Sequence, residues 1–392
     1  MEQFRLASSL AAMALFATLL VGAGPPTAKA SDPGSPSAAD CKAQDDLTFL
    51  CDMLNPEDLV LLPGGRWILN GQYQPSPTAG TRGPLRLIDT KTRSWRAVKP
   101  VVSKASRARA NDKSIAQLGK CRTPPDFSAI AAHGIGLRRP KSGPPIVYVI
   151  NHDTTERIEA FEVHKSKNSP QFSWIGCLEA PGKLHFNSVA ITPGGTVFAT
   201  VLLADGQMSR EIHKGSVVGG VYRLASGDTA FSRLALSLSG PNGIEVSPDG
   251  KTIFIVEMGK KRVHGYSLAD LNKPIGTAEL TWFWPDNLHW DENGQLVTAG
   301  MDRNKWNPTS ADQTCANGGV PDPAIEEQCK RIYYVVSINP RTFVASVTAK
   351  GNEQQEFSNV TAATVANGWV WIGSHKGNRL AFRPVEKSDG QR

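Results

Sequence analysis

Oxygen-bearing side chains recur at one position of a repeated sequence pattern. Glu57, Asn187, Asn242 and Asp286 each stand eight residues ahead of a glycine, and Asn287 adds a further amide beside Asp286. Carboxylate and amide oxygens are the ligands that Ca²⁺ prefers, about six to eight of them at about 2.3–2.6 Å. If the repeat brings these positions together, the sequence predicts a calcium site. Zinc is disfavoured there, because no nitrogen or sulfur ligand occupies these positions.

Two histidines accompany the oxygen pattern. His133 opens a similar unit with a longer turn, and His152 ends the apolar run that follows it. A neutral imidazole titrates near neutral pH, which suits a general base that activates water. We therefore expect His133 to act as the base, with His152 orienting it or relaying the proton. Asp286 is the alternative base or nucleophile, and the residues alone leave this choice open.

The elements that must position these side chains are short β-strands. Apolar runs rich in Val, Ile, Phe and Trp, as at 146–150, 252–256 and 369–372, alternate with Gly, Pro and Asp turns. Each repeat forms one hairpin, in which a strand, a tight turn and a second strand follow in order. Six openers, at 57, 133, 187, 242, 286 and about 360, have the spacing of propeller blades. The sequence predicts an all-β, six-bladed β-propeller with four-stranded blades, closed by an outer strand from the segment before Glu57.

The N-terminus predicts export. Arg5 precedes an apolar run at 10–21, and Ala28-Lys29-Ala30 follows it. A basic start, a short apolar core and an A-x-A site are typical of a cleaved secretory signal. Residues 1–30 are therefore predicted to be a signal peptide, and residues 31–392 a single propeller domain with a surface insertion at 302–331. The protein is expected to be secreted or periplasmic, without stable insertion into a membrane.

Six cysteines in an exported chain favour disulfides. Local closure favours the pairs Cys41–Cys51 and Cys315–Cys329, which leaves Cys121–Cys177 as the third pair. The net charge of +7 is modest, and the basic run at 104–109 contains no interleaved aromatic residues. Nucleic acid is therefore not expected as a partner.

In their order and spacing, these motifs resemble the serum paraoxonase/arylesterase family. The shared segments are 56–59 with 62–65, 133–135, 149–152, position 187, 242–244 with 247–251, and 286–287. Regucalcin/gluconolactonase and diisopropyl-fluorophosphatase share the calcium ligands, whereas the two histidine segments favour the paraoxonase branch. The resemblance assigns the catalytic calcium to Glu57, Asn187, Asn242, Asp286 and Asn287. It assigns Asp58 to a second, structural ion, which stays open because Ser188 stands where the family carries an aspartate.

The resemblance implies a calcium-dependent hydrolase that opens lactones, with possible side activity on aryl esters. The metal would polarise the carbonyl, and a histidine or an aspartate would activate water. Three alternatives stay open: an aldonolactonase of gluconolactonase type, an organophosphate hydrolase on the same scaffold, and a non-catalytic binding propeller stabilised by calcium. The predicted partner is a small-molecule lactone or ester.

Overall fold

The computed structural model describes residues 41–73, 82–102, 118, 121, 123–306, 331–352 and 357–386. All of them belong to one compact unit, Pro36–Arg392. The predicted signal peptide, the basic run at 104–109 and the predicted Cys315–Cys329 bridge lie outside the described residues, as does most of the predicted insertion. Among the residues described, no helix is both long and apolar enough to cross a bilayer.

Short strands make up almost all of the regular structure. One short α-helix, α1 (Ser209–His213), and a 3₁₀ turn at Met258–Lys260 stand between them. The strands are β1 (Thr48–Cys51), β2 (Pro56–Leu61), β3 (Trp67–Gln72), β4 (Arg86–Asp89), β5 (Ser94–Ala97), β6 (Val101–Val102), β7 (Ala132–Arg138), β8 (Ile146–His152), β9 (Glu156–His164), β10 (Gln171–Glu179), β11 (Val189–Ile191), β12 (Val197–Val201), β13 (Gly220–Leu224), β14 (Ser232–Arg233), β15 (Pro241–Val246), β16 (Thr252–Glu257), β17 (Arg262–Ser267), β18 (Gly276–Glu279), β19 (Trp284–Trp290), β20 (Leu296–Trp306), β21 (Arg331–Ile338), β22 (Ala345–Lys350), β23 (Val360–Ala366), β24 (Trp369–Ser374) and β25 (Arg379–Pro384).

Backbone hydrogen bonds group the described strands into six sheets, which confirms the predicted six-bladed propeller. Blade 1 is β2–β5, blade 2 is β7–β10, blade 3 is β11–β14, blade 4 is β15–β18 and blade 5 is β19–β22. Blade 6 takes β23–β25 and, as its outermost strand, β1. The one addition to the predicted pattern is β6, which pairs in parallel with β10 at the edge of blade 2.

The ring closes through blade 6, as the sequence predicts. Strand β1 pairs antiparallel with β25, with Phe49 opposite Ala381. Strands from near the two ends of the described chain therefore share one sheet. The predicted Cys41–Cys51 disulfide is formed, with a Cα–Cα distance of 6.0 Å, and ties Cys41 to the last residue of β1.

The second predicted disulfide within the described chain is also formed. Cys121 and Cys177 are bonded across a Cα–Cα distance of 5.2 Å, which ties the segment before blade 2 to its outer strand β10. Both cysteines belong to the apolar cluster between blades 1 and 2, together with Phe161 and Trp174. Disulfides of this kind persist in oxidising compartments.

The first strand of each blade contacts the first strands of the two neighbouring blades, so these six strands line the centre of the ring. Five of them, β2, β7, β15, β19 and β23, shift register near their start. Such a β-bulge re-aims the side chains at the irregular position. Glu57, His133, Asn242 and Asp286 lie within these bulges, and Asn187 stands just before β11. The repeated bulge therefore positions the openers.

Candidate metal centre and histidine relay

Four buried carboxylate or amide oxygens on or beside the innermost strands have no hydrogen-bond donor among the described residues. They are Oε2 of Glu57 and the Oδ1 atoms of Asn187, Asn242 and Asn287. These four residues are only 1–6 % exposed. A buried acceptor without a donor costs roughly 1–3 kcal/mol, and native proteins contain few of them. Oxygens contributed by four blades fit a hard cation such as calcium, which would satisfy all of them.

Neighbouring blades hold the backbone of these openers. Thr361 Oγ1 donates a hydrogen bond of 2.8 Å to the carbonyl of Glu57, and Thr200 Oγ1 donates one of 2.7 Å to the carbonyl of Asn242. Gly243 permits a close approach between blades, because a Cβ there would lie 2.5 Å from a backbone nitrogen of β19. The backbone that carries these ligand oxygens is therefore held by the protein itself, as a pre-organised site requires.

Carboxyl groups crowd the same place. Burial raises the pKa of Glu57 well above its usual value, and the charges of Asp58 and Asp286 raise it further. Burial also raises the pKa of Asp286 to about 7, although a hydrogen bond with Asn242 opposes the shift. Asn287 Nδ2 donates to Glu57 Oε1 at 2.7 Å, which links two predicted ligands directly. A dipositive ion among these groups would favour their ionised forms.

Asp58 differs from the other predicted ligands, because protein donors already satisfy its carboxylate. Its Oδ1 accepts from His289 Nε2 at 2.6 Å and from the Leu59 amide at 2.8 Å, and its Oδ2 accepts from the Ile135 amide at 2.7 Å. His289 also contacts Glu245, with 3.1 Å between Nδ1 and Oε1. Burial alone would lower the pKa of His289, but Asp58 and Glu245 raise it to about 10. A charged imidazolium therefore neutralises Asp58.

The two predicted histidines are hydrogen-bonded to each other. His133 Nδ1 lies 2.8 Å from His152 Nε2, and His152 Nδ1 lies 2.8 Å from Glu156 Oε2. A carboxylate only accepts, so the Nδ1 of His152 carries its proton and its Nε2 accepts from His133 Nδ1. This order leaves the Nε2 lone pair of His133 free, 3.9 Å from Glu57 Oε1. In this proton order, His133 presents an unprotonated nitrogen to the candidate metal centre.

The surroundings of His133 favour its neutral form. Burial lowers its pKa well below the usual value, and His152 and His375 lower it further. The ring of Tyr73 lies beside it, with 4.7 Å between ring centroids. A neutral imidazole at neutral pH can accept a proton, which is the property that a general base needs.

Glu156 is the member of this relay that the sequence reasoning missed. It starts β9 and faces His152, the last residue of β8, across the hairpin. Its Oε1 accepts from the Phe186 amide at 2.9 Å, which fixes the carboxylate. A His-x-x-x-Glu spacing at the end of a hairpin was the available signal, because directly opposed residues in a strand pair make side-chain contact.

Comparison with known proteins gives a family match over part of the chain. Residues 146–317 match the model described as the SMP-30/gluconolactonase/LRE-like region. The matched range includes His152, Asn187, Asn242, Asp286 and Asn287. No curated protein matches the sequence. The matched description does not name the paraoxonase/arylesterase family, so the resemblance to that family stays a prediction.

Several solved structures are similar to this chain over most of its length. A luciferin-regenerating enzyme is 11% identical, over 86% of this chain and 93% of that one, with a TM-score of 0.47. The calcium-binding protein regucalcin from Agrobacterium tumefaciens is 12% identical, over 86% and 92%, with a TM-score of 0.43. A gluconolactonase from Xanthomonas campestris is 14% identical, over 91% and 96%, with a TM-score of 0.47. The fold assigned to this chain rests on its own six sheets.

Proposed function

We propose that this protein is an exported, calcium-dependent hydrolase that opens lactones. The observation that carries the proposal is the set of four orphaned buried oxygens together with His133 Nε2, which lies 3.9 Å from Glu57 Oε1. The ligands would be Glu57, Asn187, Asn242, Asp286 and Asn287. Because a protein cation already neutralises Asp58, we propose one ion in the channel and assign Asp58 no metal. Bound calcium would polarise the ester carbonyl and stabilise negative charge on its oxygen.

His133 supplies the proton transfers in this proposal. Its Nε2 takes a proton from a water molecule as the water oxygen attacks the carbonyl carbon of the lactone. The ring C–O bond then breaks, and the same proton passes from Nε2 to the departing alkoxide, which gives a hydroxy acid. His152 and Glu156 hold His133 in the required tautomer and stabilise the imidazolium that forms between the two steps.

Asp286 supports a second version of the chemistry. Its carboxyl lies beside the proposed metal and has a pKa of about 7, so it is able to exchange a proton near neutral pH. In this version Asp286 activates the water or attacks the carbonyl, and the histidines shape the pocket. The two versions predict different effects on kcat when the His133 imidazole is removed.

The family match over residues 146–317 favours an aldonolactone as strongly as other lactones, because gluconolactonase is part of the matched description. We therefore keep aldonolactone hydrolysis as the second candidate, with aryl-ester or organophosphate hydrolysis as a side activity.

A substrate panel tests the proposed function. Mature protein would be assayed on γ- and δ-lactones, an aldonolactone, phenyl acetate and a phosphotriester, with calcium and after chelation. We expect turnover of at least one lactone, loss of it after chelation and recovery when calcium is restored. No turnover on the whole panel would favour a non-catalytic binding propeller. Full turnover after exhaustive chelation would exclude a metal-dependent reaction.

A further inference from the structure

His152, Glu156 and His185 form a second cluster of metal-ligating groups at the outer end of the histidine relay. One ligand atom from each residue lies within 4.8 Å of the others, and no other set of three His, Cys, Asp or Glu residues in the described chain meets this condition. Glu156 Oε2 is 2.8 Å from His152 Nδ1 and 3.5 Å from His185 Nδ1. None of these three residues is a proposed calcium ligand.

The chemistry of the cluster differs from that of the calcium centre. Two imidazole nitrogens and one carboxylate are typical of a zinc site that keeps an open fourth position. Ligands at about 2.0–2.1 Å in a tetrahedral site lie roughly 3.3 Å from each other, close to the 2.8 Å and 3.5 Å that separate Glu156 Oε2 from the two histidine nitrogens. The Phe186 amide holds Glu156 Oε1, so Oε2 is the oxygen directed between the histidines. The side chain of His185 is 73% exposed, which gives an ion access from solvent.

We propose that this cluster binds Zn²⁺ or a similar transition-metal ion, and that this binding prevents His133 from acting as the general base. The inhibitory part of the proposal rests on the proposed function, whereas the binding part does not. An ion on His152 Nδ1 occupies the position of the proton that Glu156 now accepts. A neutral His152 bound through Nδ1 carries its proton on Nε2, the atom that now accepts from His133.

The protons balance without any redox step. Zn²⁺ forms a bond to His152 Nδ1 and releases that proton to solvent. The proton on His133 Nδ1 crosses the 2.8 Å hydrogen bond to His152 Nε2. His133 then takes one proton from solvent at Nε2. Each ring still carries one proton, but the lone pair facing Glu57 is lost, and the ring is no longer able to accept a proton from water at that atom.

The test is a Zn²⁺ titration by calorimetry in excess calcium, with Co²⁺ absorption as a second readout of nitrogen coordination. We expect one Zn²⁺ per chain in the wild-type protein. The variant His185→Ala should bind Zn²⁺ at least about tenfold more weakly, while its basal lactonase activity stays at the wild-type level. His164→Ala, which removes a partly exposed histidine outside the cluster, serves as the matched control and should bind Zn²⁺ normally.

The outcomes separate this inference from the proposed function. Zn²⁺ binding that depends on His185 supports the site even if no lactone is turned over. Zn²⁺ binding that is equal in wild type and His185→Ala overturns the site, because the ion then binds elsewhere. If the enzyme is active, a His185-dependent Zn²⁺ ion should lower kcat at least about tenfold. Unchanged kcat at saturating Zn²⁺ would overturn the switch.

Discussion

The Nδ1 atom of His133 lies 2.8 Å from the Nε2 atom of His152, although the two residues stand on different strands of blade 2. Which of the two rings carries the proton between these atoms depends on the hydrogen bond that His152 makes with its other ring nitrogen. The partner in that hydrogen bond is Glu156, which accepts from the far side of His152. A carboxylate two side chains away therefore decides whether the nitrogen nearest the candidate metal centre is a base.

Glu156→Gln tests this relay. The Phe186 amide would hold the new amide oxygen, so the amide nitrogen would face His152 Nδ1 and donate to it. His152 would then donate from Nε2, and His133 would carry its proton on the wrong nitrogen. We expect kcat on the preferred lactone to fall about 10²–10⁴-fold, with the affinity for calcium unchanged.

The dependence of kcat on pH is measured for Glu156→Gln and for wild type. This comparison distinguishes a changed tautomer of His133 from a misfolded pocket. Glu179→Gln, on an exposed glutamate at the end of β10, is a matched control and should keep wild-type kcat. Wild-type kcat and pH profile in Glu156→Gln would show that Glu156 does not set the tautomer.

His133→Gln distinguishes the two versions of the chemistry. If His133 is the base, its loss should lower kcat about 10²–10⁴-fold and leave calcium binding intact, which calorimetry would check. His164→Gln applies the same substitution outside the channel and should have little effect. A fully active His133→Gln variant would transfer the base role to Asp286 or to metal-bound water.

The buried pair of Asp58 and His289 predicts how stability depends on pH. The pKa of His289 is raised from its ordinary value of 6.5 to about 10. The charged pair therefore stabilises the fold fully below about pH 6.5, and this stabilisation is lost as the pH rises towards about 10. His289→Gln should reduce the free energy of unfolding by about 3–5 kcal/mol at pH 6 and by clearly less near pH 10.

Urea unfolding of wild type and His289→Gln at the two pH values measures this difference, with His164→Gln as the control. A variant that is destabilised equally at pH 6 and pH 10 would show that His289 is not charged beside Asp58.

Most of the fold follows from the sequence because the repeat is local. The fixed distance between Glu57 and Gly65, repeated at Asn187, Asn242 and Asp286, marks a hairpin whose turn and inner strand come from neighbouring residues. Strand β6 was not predicted, since two valines carry no periodicity and pair only with a distant strand.

The candidate site is only partly readable from the sequence. The openers share a motif, so their convergence follows from the architecture. The contact of Asp58 with His289 joins blades 1 and 5, and no local sequence pattern predicts it. Glu156 depends on the register of one hairpin, where a slip of one residue would remove it from His152.

Calcium binding to the mature protein tests the central claim most directly. Calorimetry on chelator-treated wild type should show one Ca²⁺ per chain, together with a rise in Tm that grows with calcium concentration. Asn242→Ala, which removes one of the four orphaned oxygens, should weaken binding at least about tenfold and reduce the rise in Tm. Asn293→Ala, on an exposed turn, should leave both unchanged. Absence of calcium binding in wild type, or equal binding in wild type and Asn242→Ala, would contradict the proposed metal centre.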